Sequence, residues 1–118
     1  MAGPATAAAA PFVVDRATLK RLEKNATRAC NVLGAMANPS RLMILCQLAE
    51  SEKSVGELQP LIGLSQSALS QHLALLRDKK LVRARRAGQQ IFYSLASSDA
   101  SALMHTLHAQ FCAPKRGA

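Results

Sequence analysis

The chain has 118 residues, enough for one small domain with a modest core. Fifteen Lys and Arg against seven Asp and Glu leave a net charge of +8, which favours an anionic partner, nucleic acid before membrane. The absence of Trp and an aromatic content of 3% argue against a single-strand binder that stacks bases on rings, and no apolar run approaches the ~20 residues of a membrane span.

Residues 1–14 carry no Lys or Arg, and Pro4 and Pro11 interrupt their apolar stretch. A secretory signal needs a positive leader and an unbroken apolar core, so this segment is expected to be a flexible tail on a cytoplasmic protein. Asp15 then opens a helix to about Ala37, with Leu19, Leu22, Ala26, Ala29, Val32 and Leu33 as its apolar stripe. Asn38-Pro39 breaks the chain, and Pro39 suits the first turn of a second helix to about Glu50, with Leu42, Leu45 and Ala49 inward. Ser54 and Glu57 have capping-box spacing for a third helix, which Pro60 keeps short or distorted. Gly63 supplies a turn, and Ser65 caps a longer fourth helix over 65–79. A short helix, a glycine turn and a longer helix make a helix-turn-helix.

In that fourth helix Leu69, Leu73 and Leu76 form one buried stripe. Ser67, Ser70, Gln71 and Ala74 fall on the opposite side, a face of short polar groups with no carboxylate that suits close approach to base edges. Ser67, Ser70 and Gln71 are the candidate base contacts, with Ser65 and Gln66 near the helix start, where a phosphate is also favoured. His72 lies nearer the stripe and is assigned to packing or a structural hydrogen bond. Cations crowd in at Arg77, Lys79, Lys80, Arg83, Arg85 and Arg86. Residues 81–86 and 90–95 read as strands joined by a tight turn over 87–89, which places Arg85 and Arg86 beside the hairpin tip for backbone or minor-groove contact. Ser97 or Ser98 caps a last helix to about Cys112, with Leu103, Met104, Leu107 and Phe111 apolar, and residues 113–118 are expected to fray. The order is α-α-α-α-β-β-α, mainly helical with one hairpin, in a domain spanning 15–112.

The segments ANPSRLMIL, SVGEL and LSQSALSQHLALLRDKKLVRARRAGQQIFYSL resemble the ArsR-type winged helix-turn-helix repressors of bacteria over residues 33–112. The resemblance implies a homodimer held by the first and last helices, with the hairpin as wing. It implies repression from a double-stranded inverted-repeat operator. The family's soft-metal sensors carry a C-x-C pair in the third helix, and here SVGELQPL has no Cys. Its zinc sensors carry D-x-H on the last helix; here Asp99-Ala-Ser101 lacks the His, although His105 and His108 form H-x-x-H and leave a zinc-type sensor as the alternative.

Cys46 on the second helix and Cys112 at the end of the last are placed as in the sulfide- and persulfide-responsive BigR/SqrR/YgaV-like branch. The resemblance therefore implies a sensing pair that reacts with organic persulfides. A buried inert thiol is the competing reading for Cys46. At Cys112 the negative end of the helix dipole opposes a thiolate, with Lys115, Arg116 and His108 as offsetting cations. Cys30 lies outside the pattern and is read as a spare core thiol, with a partner for Cys112 as the alternative. No nucleophile–base–carboxylate set and no phosphate-cradling glycine loop is present, so neither an enzyme nor a cofactor is expected.

Overall fold

The computed structural model describes residues 11–112 and 114. Its elements, in chain order, are α1 (Arg16–Met36), α2 (Pro39–Glu50), β1 (Lys53–Ser54), α3 (Val55–Ile62), α4 (Gln66–Asp78), β2 (Val82–Ala87), β3 (Gln90–Leu95) and α5 (Ser98–Phe111). Residues 11–14 belong to no helix or strand, while the other residues of the two expected tails lie outside the described residues, apart from Pro114.

Each helix starts where a short polar side chain accepts from an otherwise orphaned backbone N–H. Asp15 accepts from Thr18 at 2.8 Å, Asn38 from Arg41 at 3.0 Å, and Ser54, Ser65 and Ser97 from Glu57, Ala68 and Ala100 at 3.1 Å. At α3 the box is reciprocal, because the Glu57 carboxylate also accepts from the Ser54 N–H at 2.8 Å. Pro60 lies inside α3, which ends at Ile62 and turns through Gly63 at φ 79°. The Arg41 Nε donates to the Ala35 carbonyl at 2.6 Å, so a cation from α2 satisfies the carbonyl end of α1.

Helix α4 closes without a glycine. Lys80 takes φ 66°, its N–H donates to the Arg77 carbonyl at 3.0 Å, and the Leu81 N–H donates to the Leu76 carbonyl at 2.9 Å. This is a Schellman closure, and Leu76 and Leu81 are both buried beneath it. A side chain in this region costs roughly 1 kcal/mol that glycine avoids. Lys80→Gly is therefore expected to stabilise the fold by about 0.5–1 kcal/mol, measured as a higher urea midpoint at constant slope. An unchanged or lower midpoint would show that Lys80 carries no strain.

Strands β2 and β3 pair antiparallel from Val82↔Leu95 to Ala87↔Gln90. The turn is thus Gly88-Gln89, one residue shorter than the expected 87–89, and Gly88 supplies its positive φ of 64°. The sequence reading also missed β1. This two-residue strand pairs with β3 through Lys53↔Tyr93 and Ser54↔Phe92, giving the sheet order β1-β3-β2. Two residues carry no alternation, and only the folded position of β3 makes them a strand. Lys53 is buried along its stem, with its ammonium held by Glu50 at 3.0 Å and Ser51 at 2.8 Å.

The core gathers Ile44, Leu45, Leu58, Leu69, Leu73, Leu76 and Leu81 around α2, which packs against α1, α3, α4, α5 and β3. The expected inward set of α2 needs correction: Leu45 is buried and Leu42 half-buried, but Ala49 is exposed, and Ile44 and Leu48 take the inward places. A helix surrounded by neighbours on several sides buries more than one stripe. On α1 only Val32 of the apolar stripe is buried, while Leu19, Leu22 and Leu33 stay 52–59% exposed. Phe111 at the end of α5 is 81% exposed. Among the described residues no helix is long and apolar enough to cross a membrane.

Candidate nucleic-acid interface and thiol cleft

The buried stripe of α4 seats the helix and turns its opposite side outward. Ser65, Gln66, Ser67, Ser70, Gln71, Ala74 and Arg77 are all exposed. Leu69, Leu73 and Leu76 are fully buried, and His72 between the two faces is half-buried. One expectation fails at the far end of this surface. Asp78 lines a cleft with Ser70, Ala74, Arg77, Lys80 and Tyr93, so the outer face does carry a carboxylate. It stands four residues after Ala74, hence on the same side of the helix.

Folding brings the start of α4 to the hairpin tip. Gln66 shares a groove of about 340 Å³ with Ser54, Gln59, Gln89, Gln90 and Ile91. Gln89 and Gln90 therefore stand beside the reading helix as further amide donors and acceptors. The sequence reading used Gln89 only as a turn residue and left Gln90 aside. Amides placed around a hairpin tip near a helix N-terminus were the available signal.

The two wing arginines do not share a face. Arg86 pairs across the hairpin with Ile91, and Arg85 with Phe92, so their side chains alternate. Both are exposed, yet Arg85 is tied back across the sheet. Its guanidinium donates to the two Glu52 carboxylate oxygens at 2.7 and 3.1 Å and lies 5.0 Å over the centre of the Phe92 ring. The hydrogen bond from Arg85, with its charge, holds the Glu52 carboxyl below its ordinary value and raises Arg85 in return.

The three thiols sit on, or at the end of, three different helices. Cys46 is half-buried on α2 and opens into a cleft of about 350 Å³ between α2 and α5, lined also by Glu50, Met104, His105 and His108. Cys112 is exposed and caps α5, its N–H donating to the His108 carbonyl at 2.9 Å. Lys115 and Arg116, invoked as cations near Cys112, lie outside the described residues. Cys30 is not the core thiol expected: it is exposed on α1, outside the buried stripe that Val32 joins, in a separate pocket with Arg41, Leu75 and Lys79. His105 and His108 share the cleft with Cys46, but among the described residues no group of three or more His, Cys, Asp or Glu is gathered to hold a metal ion.

Comparison with known proteins agrees with this fold. The family described as bacterial regulatory protein, arsR family, matches residues 38–84, from the cap of α2 into β2. The transcriptional activator HlyU of Vibrio cholerae is 50% identical over 94 residues, covering 80% of this chain and 87% of that protein. The crystal structure of the transcriptional repressor BigR from Xylella fastidiosa superposes with a TM-score of 0.77 at 43% identity, over 82% of this chain and 99% of that one. A solution structure from Mycobacterium bovis, described as a homodimeric winged helix-turn-helix DNA-binding domain, matches with a TM-score of 0.66 at 28% identity, over 86% of this chain and 89% of that one. With a capped helix-turn-helix, a β-hairpin wing and relatives of this closeness, the chain belongs to the ArsR family of bacterial transcriptional regulators, DNA-binding proteins rather than enzymes.

Proposed function

We propose that the chain is a homodimeric repressor that leaves its inverted-repeat operator when Cys46 and Cys112 react with an organic persulfide. Dimerisation is supported by the exposed apolar stripe of Leu19, Leu22 and Leu33 on α1 and by Phe111 on α5, surfaces that one protomer leaves uncovered. The homodimeric description of the mycobacterial structure points the same way. Ser67, Ser70 and Gln71 read base edges, Ser65 and Gln66 anchor the helix start, and Arg77 and Arg86 meet phosphates.

The observation that carries the sensing reading is where the thiols sit. Cys46 faces α5 across the α2–α5 cleft, and Cys112 closes α5. Helix α2 supports the reading helix α4, whereas α5 belongs to the dimer face in this reading. The exposed Cys112 thiolate attacks the outer sulfur of R–S–SH, forming a protein persulfide and releasing RS⁻. The Cys46 thiolate then attacks the Cys112 sulfur, forming the Cys46–Cys112 disulfide and expelling HS⁻. A link between α2 and α5 alters how the reading heads sit relative to the dimer axis. Half-sites one helical turn apart tolerate little such change.

Operator binding followed by fluorescence anisotropy, with and without organic persulfide, tests this. The reduced wild type is expected to lose about tenfold or more in affinity on treatment, within the usual range of such coupling. Cys46→Ser and Cys112→Ser should each bind the operator and show no release. If both variants respond as the wild type does, the thiol mechanism is wrong.

A further inference from the structure

We infer that Glu52 is a charge mask on the wing: it keeps the Arg85 guanidinium occupied by a partner within the same chain, so that this wing arginine is withheld from DNA phosphates and Arg86 is left as the free arginine beside the hairpin tip. The inference rests on the DNA-binding reading above and extends it to a residue outside the reading surface. Glu52 stands just before β1, on the edge of the sheet away from β2, and reaches over β3 to Arg85. A single exposed ion pair is easily traded for a phosphate. Arg85 has more to give up. Its planar fork meets both Glu52 oxygens, and its cation rests on the Phe92 ring beneath. The three side chains reach from the loop before β1 across β3 to β2. Arg86 is directed to the opposite side of the hairpin and makes no ion pair among the described residues.

The device bears on specificity. Phosphate contacts raise affinity for every duplex alike, whereas base contacts discriminate. A strongly basic chain that spent every cation on phosphates would gain sequence-neutral binding. Masking Arg85 trims that component while keeping an arginine to brace the sheet.

The test measures binding of the full chain to a random-sequence duplex by anisotropy across a salt series, comparing wild type, Glu52→Ala, Arg85→Ala, Arg86→Ala and the double variant Glu52→Ala/Arg85→Ala. Each phosphate contact adds about 0.9 to the slope of log K against log salt. Glu52→Ala should steepen the slope by about 0.9 per protomer and tighten binding, because Arg85 is freed. Arg85→Ala should leave the wild-type slope unchanged, Arg86→Ala should reduce it by about 0.9 per protomer, and the double variant should return to the wild-type slope. Circular dichroism checks that each variant is folded, and Glu52→Gln replaces Glu52→Ala should the latter not fold. A shallower slope in Arg85→Ala, or no steepening once Glu52 is neutralised, overturns the mask. A folded, reduced wild type that binds no duplex at low salt overturns the DNA-binding reading itself, a distinct result.

Discussion

Leu73→Ala is expected to destabilise the protein by about 3 kcal/mol, within the ~2–5 kcal/mol range for emptying a buried leucine site. Leu73 is completely buried on the inner face of α4, in the cluster that includes Leu45, Leu58 and Leu69. Removing its branched end forfeits both the transfer of that surface from water and the packing around the space left behind. The urea midpoint should fall with little change in slope, at a fixed protomer concentration because a dimer's stability depends on it. DNA binding should weaken in parallel, since the same stripe holds the reading face in place. A loss below about 1 kcal/mol would mean that α4 is not anchored through this side chain.

Operator affinity should fall by about a thousandfold as salt rises from 50 to 200 mM, if roughly three cations per protomer reach phosphates in the dimer. Arg77, Lys79, Lys80, Arg83 and Arg86 are all exposed around the end of α4 and along the hairpin, enough to supply those contacts without Arg85. Base reading should behave differently. Gln71→Ala is expected to reduce the preference for operator over random duplex by about 1–3 kcal/mol while leaving the salt slope unaltered. An operator affinity that hardly changes with salt would refute the electrostatic footing of the interface. A Gln71→Ala variant with undiminished preference would remove Gln71 from the reading set.

Much of this architecture is written in short stretches of the chain. Asp15, Ser54, Ser65 and Ser97 cap helices because a short polar side chain satisfies an N–H three residues on, a contact that needs no distant partner. The spacing of Leu69, Leu73 and Leu76 identified the buried side of α4, and so its exposed side, because helical periodicity converts position into direction. Family membership was legible for a related reason: the match spans one continuous stretch of sequence, residues 38–84, from the cap of α2 into the wing.

Other features have no local signature. Lys80 takes a left-handed backbone without a glycine to announce it, because the Schellman bonds and the burial of Leu81 over Leu76 hold it there. Ala49 turned out exposed and Ile44 buried because the neighbours of α2, rather than its own pattern, decide which side is covered.

Residue order thus carried the helix starts, the exposed polar face of α4 and the positive charge, all of which depend on neighbours within about one helical turn or on simple summation. Three-dimensional packing alone made Lys53-Ser54 a strand, joined Gln89 and Gln90 to Gln66, placed Cys46 on a cleft with α5, and drew Arg85 onto Glu52, 33 positions away in the chain. Contacts of that separation arise when the core brings distant segments together, and a one-dimensional pattern does not record which exposed charge will find which partner.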